Sequence, residues 1–448
     1  MIFSKRFIAS VSGSLTFLTI SLAGVVHAAH KPALQYAGIT SMQTFAKPSL
    51  PVIGKAGSSF QDPTFGSRLL RVTDPDTLTS AGPAQGASFG TPLYGEPNAW
   101  NADNSMFYVE GQGLLIPYHF DSSHFSISRL DDPAHPGETF ALKAQEDATF
   151  SFKDPNILYF KEEEELKAYD FKAGHPRDLV NLTKLHPGST KSLGPLSVSA
   201  NEKLCVHWGG EKADSNFLVL VYDVEKQQTH LLDTDASVID GRPLPPEQRI
   251  GGYVHYAWID KSGDFVAVMS TAPYQIYIWD LALNSITKVD PAGRGRKALG
   301  YGWMINDGLL PPNFKGRWLI RPLKGKGLGH PKALMQFSEP FQYESNLSWN
   351  QVGRDHAAPV LMTTFHDEQR PVPWGPLADE IFALATDGSG HVWRFAHTRD
   401  SYKGDWLDQP KGNLSQDGRY FLFTSNWENT LGTGRRDAFL LELPLRNQ

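Results

Sequence analysis

One cysteine, Cys205, occurs in 448 residues, so no intramolecular disulfide can form and stability has to come from buried apolar surface. Charge is sparse, at 20% of residues, and its balance is acidic: 42 lysines and arginines face 48 aspartates and glutamates. That sign disfavours non-specific nucleic-acid binding. Beyond the first thirty residues no stretch approaches the roughly 18 uncharged apolar residues of a membrane span. There is no P-loop, no dinucleotide fingerprint and no G-x-S-x-G elbow, which sets aside nucleotide-driven chemistry and the common serine hydrolases.

What the chain does have is 40 glycines, 31 prolines and 12% aromatics, a composition suited to short strands joined by many tight turns. Its first segment has the form of a secretory leader. Lys5 and Arg6 precede an uncharged run from Phe7 to Val26, which ends in the small-residue pattern Val26-His27-Ala28. Residues 1–28 are therefore expected to be a signal peptide, with a retained anchor as the alternative, and the protein is expected in the periplasm or outside the cell. No membrane span is expected after cleavage. Residues 29–59, rich in Pro, Ala, Gly and Ser without apolar periodicity, read as a flexible arm. Residues 60–448 read as one domain.

Within that domain one pattern recurs: a short apolar strand, a polar turn, a second apolar strand, then a third and often a fourth. The clearest copy runs Asn413-Leu414-Ser415-Gln416-Asp417-Gly418-Arg419 into the strand from Tyr420 to Ser425. Its glycine supplies the positive φ of a tight hairpin. Weaker copies begin at Trp100, Phe152, Ser199, Trp258, Trp303 and Trp349. From Asp103 to Asp417 the copies recur about every 52 residues, a propeller-like period. Such units cannot bury both faces alone and must stack radially. The expected fold is an all-β, seven-bladed β-propeller. The fifth copy is interrupted by Gly325, Gly327, Gly329 and Pro331, which leaves six or eight blades as alternatives. The last copy lacks a fourth strand, and the run Ser67-Arg68-Leu69-Leu70-Arg71-Val72-Thr73-Asp74 has no partners of its own. Joining the two closes the ring.

The Ser415-Gln416-Asp417-Gly418 turn, and more loosely Lys261-Ser262-Gly263-Asp264, resemble the S-P-D-G hairpin of the TolB-like (WD40-like, PD40-repeat) bacterial propellers. The resemblance spans roughly residues 67–444 and lies in the repeat pattern. It implies the propeller fold and an exported protein that binds a protein or a glycan, and it leaves the activity open.

Propellers bind ligands at the funnel around the central channel. His207 and Trp208 end one second strand, His255 and Tyr256 lie on a first strand, His366 ends another second strand, and Arg321 holds a similar station in blade five. Three converging histidines could hold a divalent metal or include a general base, with Arg321 pairing a substrate carboxylate and Tyr256 or Tyr301 as acid. Hydrogen-bonded strand histidines are the plainer reading. A second candidate is the loop of Asn426, Trp427 and Arg435, an aromatic platform with polar and cationic neighbours, against a plain packing role for the tryptophan. The insertion from His366 to Leu377, with Arg370 and Trp374, is expected to form a rigid flap by the mouth. Two functions follow. One is a non-catalytic, monomeric binder of a polysaccharide or protein. The other is a polysaccharide lyase acting on uronate chains by β-elimination.

Overall fold

The computed structural model describes residues 35–446 apart from 78–87, 93, 134, 145–146, 186, 188–191, 210–216, 252, 272–274, 290–296, 308–315, 338–342 and 370–371. The leader read at residues 1–28 lies outside them, as does Arg370. Among the described residues no helix is long and apolar enough to cross a membrane. Seven antiparallel sheets stand in a ring, with strands A to D running from the axis outwards.

The repeat is built on one local device. The residue that follows strand A is short and polar in several blades, and its side chain accepts hydrogen bonds from the backbone of the turn or of strand B. Ser415 Oγ accepts from the Tyr420 amide at 2.9 Å, Ser199 Oγ from Lys203 at 2.9 Å, and Asn101 Oδ1 from Met106 at 2.9 Å. Asp260 does the same for Phe265 at 3.0 Å and also reaches the Gly302 amide of the next blade at 2.7 Å. These bonds satisfy turn amides that the ladder leaves over. The expected positive φ at Gly418 is found, at 74°.

The ring closes as the ends of the chain suggested. Strand Arg68–Arg71 is the fourth strand of blade seven and pairs with Asp437–Glu442, with Leu70 opposite Leu440. Arg71 holds the buried Asp437 carboxylate through Nε and Nη2. The preceding segment is tied to blades six and seven: Tyr36 is buried edge-on against Trp393 and Phe395, and the indoles of Trp374 and Trp427 donate to the Phe45 and Pro51 carbonyls. Near the axis, side chains bridge neighbouring blades. Ser197 Oγ accepts from the Ile259 amide, and Ser348 Oγ from Leu414.

Blade five is whole, and its strands are shifted relative to the sequence reading. Its strand A is the three-residue Lys297–Leu299; Trp303–Asn306 is strand B and Gly316–Pro322 is strand C. Trp303 mimics the tryptophan that ends strand A in other copies, and this conceals the offset.

Candidate functional site

In each blade strand A starts at one end of the channel, here called the mouth, and strand B returns to it. Residues late in strand B or early in strand A therefore gather at the mouth, whereas A–B turns gather at the opposite end. This placement sorts the expected residues. His207, late in strand B of blade three (Lys203–Gly209), and His255 and Tyr256, early in strand A of blade four (Tyr253–Ile259), meet at the mouth.

His207 is 6% exposed and wedged against Gly194, where a Cβ would stand 1.9 Å from its ring. Lys161, near the end of strand B of blade two (Ile157–Glu162), donates to the Gly194 carbonyl at 2.6 Å. Burial, reinforced by the Lys161 charge, pushes the His207 pKa down to about 3, so its imidazole is neutral. Its ring also hydrogen-bonds the His255 backbone.

His255 is the extra residue of a β-bulge between Val254 and Tyr256. Successive strand residues normally face opposite sides, and the bulge removes that alternation. The His255 and Tyr256 rings consequently lie 3.9 Å apart, both half-buried. Tyr256 stacks on Trp258 at 4.7 Å, and the Lys297 amine sits 5.6 Å and 4.6 Å from the centres of these two rings. Tyr94 leans on Tyr256 at 4.7 Å and lies nearly parallel to Trp406 at 6.5 Å. Trp406, 42% exposed, carries the Lys411 amine 3.9 Å above its ring. Lys161, His207, His255, Tyr256, Lys297, Tyr94, Trp406 and Lys411 thus form one arc of cations and aromatics.

The channel below the arc is closed by the segment preceding blade one. Tyr94 rests on blade four, and its carbonyl accepts from Asn413 of blade seven at 3.2 Å. Gly95 presses on the Leu347 carbonyl of blade six, and the Asn98 amide donates to Thr149 of blade two at 3.0 Å. A segment touching so many inner strands runs across the axis. Glu96, within it, is 5% exposed; burial raises its pKa to about 7 despite Lys261, Lys297 and the Leu299 amide. Lys261, its charge disfavoured by burial, donates to Asn350 at 3.1 Å.

The remaining expected residues are not part of this arc. Arg321 is on strand C of blade five, opposite Met304, fully buried, and donates to the Leu328 carbonyl at 3.0 Å near the end remote from the mouth. Tyr301 is in the A–B turn of blade five, under Arg354. His366 pairs with Asp379 at 2.8 Å, which raises its pKa, and faces Trp374. His207, His255 and His366 do not form a metal-holding group. No group of three or more His, Cys, Asp or Glu placed to hold a metal occurs among the described residues. Trp208 is a core residue. The loop proposed as a platform is structural: Trp427 is buried and stacked on Phe439 at 4.7 Å, Asn426 clasps both backbone groups of Ser401, and Arg435 pairs with buried Asp437 at 2.6 Å.

Sequence reasoning missed Lys161, Lys297, Lys411, Tyr94 and Trp406. A lysine beside an apolar strand run, as in Tyr159-Phe160-Lys161 and Lys297-Ala298-Leu299, was the available signal.

No family model and no curated protein matches the sequence. Among solved structures, the chain is similar to the oligogalacturonate lyase of Vibrio parahaemolyticus, with a TM-score of 0.55 and 12% identity over 89% of this chain and 99% of that one. The likeness is one of fold. Weaker similarities, each with a TM-score of 0.46, are to a chain of the mitotic checkpoint complex (13% identity, 91% of this chain and 100% of that one) and to the Kuenenia stuttgartiensis hydrazine synthase (10%, 82% and 99%).

Proposed function

We propose that the mouth binds an anionic glycan built of uronate residues. The observation that carries this reading is the arc itself. A protein with a formal net charge of −6 gathers three lysines, two histidines and three aromatic rings at one end of its channel. Uronate units offer carboxylates to ammonium groups and apolar ring faces to aromatics. Burial of Lys161, Lys297 and Lys411 strengthens their pull on a carboxylate that displaces water at the mouth. The leader read at residues 1–28 and the TolB-like turn pattern support an exported binding role, and the fold neighbour acts on oligogalacturonate, a chain of this chemistry.

A second reading, β-elimination, is supported by the bulge that sets His255 beside Tyr256. His255 would take the proton from the carbon bearing the carboxylate, with Lys297 pairing that carboxylate. The electron pair left behind forms the C4–C5 double bond as the C4–O bond breaks, and Tyr256 gives its proton to the leaving oxygen. In this scheme Lys297 takes the role expected of Arg321, and Tyr256 is the acid of the two tyrosines considered, since Arg321 and Tyr301 lie at the other end.

One experiment addresses both readings. Tryptophan fluorescence titration with polygalacturonate is run alongside ultraviolet absorbance for unsaturated product. Saturable quenching weakened by Lys297→Met supports binding, and no response from folded protein overturns it. Absorbance that grows with time and disappears in His255→Ala establishes elimination.

A further inference from the structure

We infer that the site does not end at the mouth but continues sideways into the cleft between blades seven and one, so that the ligand is held as an oligomer lying across the face of the ring. The inference rests on the uronate-glycan reading above and extends it.

Three observations carry it. First, the axis is blocked: the segment from Tyr94 to Asn98 touches blades two, four, six and seven, so a chain bound at the mouth cannot run down the channel. Second, a cleft of about 330 Å³, within the size range of small-ligand pockets, opens beside the arc and shares Lys411 with it. Ser88 and Gln112 stand at its lip, Thr424 and Arg436 line its wall, and Glu110 is turned to the Asp147 amide at 2.9 Å. Third, Trp406 stands where mouth and cleft meet, on a turn that is held rigidly. Asp405 caps the turn by accepting from the Leu407 amide at 3.0 Å, and Arg436 clamps Asp405 at 2.7 Å and Asp408 at 2.6 Å. A large exposed aromatic on a pinned turn loses little entropy on stacking. Lys411, above the Trp406 ring and in the cleft lining, is buried where mouth and cleft meet, so its charge acts on both. The path therefore runs from His255 past Tyr94 and Trp406 to Lys411 and the cleft.

The test is isothermal titration of the full protein with homogalacturonan oligomers of one, two, four and six residues. Affinity is expected to rise roughly tenfold between two and four residues, the effect of one added stacked and charge-paired unit. Ser88→Trp, which fills the lip, is expected to abolish that rise while leaving dimer binding unchanged. Gln112→Glu, an exposed hairpin-tip change that folds whatever becomes of Ser88→Trp, is expected to weaken the tetramer selectively by placing a carboxylate at the lip. A native protein indifferent to length, or variants that keep the rise, would overturn the cleft path while the mouth reading stands. If no oligomer of any length binds the folded protein, both readings fail.

Discussion

Gly95 passes so close to Leu347 that a β-carbon on it would stand 1.8 Å from the Leu347 carbonyl oxygen. That oxygen belongs to strand A of blade six (Glu344–Ser348) and has little freedom to yield. Gly95 is therefore what lets the segment cross the channel.

Gly95→Ala should cost roughly 1–3 kcal/mol of folding stability, as overpacking of a close contact does. Denaturant unfolding of the two proteins checks this. An unchanged midpoint would mean that the segment does not lie against blade six.

Glu96 should make the protein less stable as pH rises. Its folded pKa of about 7 exceeds the ordinary value near 4.5, so the folded state holds a proton that the unfolded chain gives up. Stability is full below about pH 4.5 and declines until about pH 7, by an amount on the order of 3 kcal/mol. Glu96→Gln removes this part of the pH dependence, so the variant should gain on the native protein between pH 5 and pH 8 in urea titrations. Parallel curves would refute the buried carboxyl.

His207 has the opposite kind of shift. Its folded pKa, near 3, lies below the ordinary 6.5, so its contribution is complete above pH 6.5 and is lost as pH falls towards 3. Nitrogen-15 chemical shifts of the imidazoles should show His207 neutral and silent between pH 5 and pH 8. A ring titrating near 6.5 would place His207 in solvent.

Two tryptophans should separate binding from stability. Trp427→Ala removes a buried indole stacked on Phe439 and should cost about 3–5 kcal/mol. Trp406→Ala removes an exposed ring and should leave the melting temperature within a few degrees while weakening glycan binding roughly tenfold. Reversed outcomes would return the binding platform to the loop of Asn426 and Arg435.

Breaking the ring closure should be costly. Arg71→Ala takes one of two guanidinium partners from buried Asp437 and leaves it paired with Arg435, a change worth about 3–5 kcal/mol of unfolding free energy in denaturant curves. A loss under 1 kcal/mol would show that strand Arg68–Arg71 does not carry the closure.

Much of the architecture is local in origin and was therefore legible in the sequence. Alternating apolar strands, a capping Ser, Asp or Asn just after strand A and the glycine at 418 are features of a few neighbouring residues, and their recurrence implies the ring. The partnerless run from Ser67 to Asp74 and the incomplete last copy likewise pointed to closure. Blade five misled because Trp303 copies a local signature one strand out of step, which carried Arg321 to the wrong end.

The site was legible only in part, at His207, His255 and Tyr256. Tyr94 meets Trp258 and Trp406 across separations that no motif spans, and Trp427, with the more promising neighbours in sequence, is buried against Phe439. Sequence alone determined the strands, the turns and the stacking of repeats, because these depend on periodicity and backbone capping within each copy. Tertiary structure decided which lysines and aromatics share the mouth and that Glu96 is buried in the channel, because closing the ring brings residues from different blades together and excludes water between them.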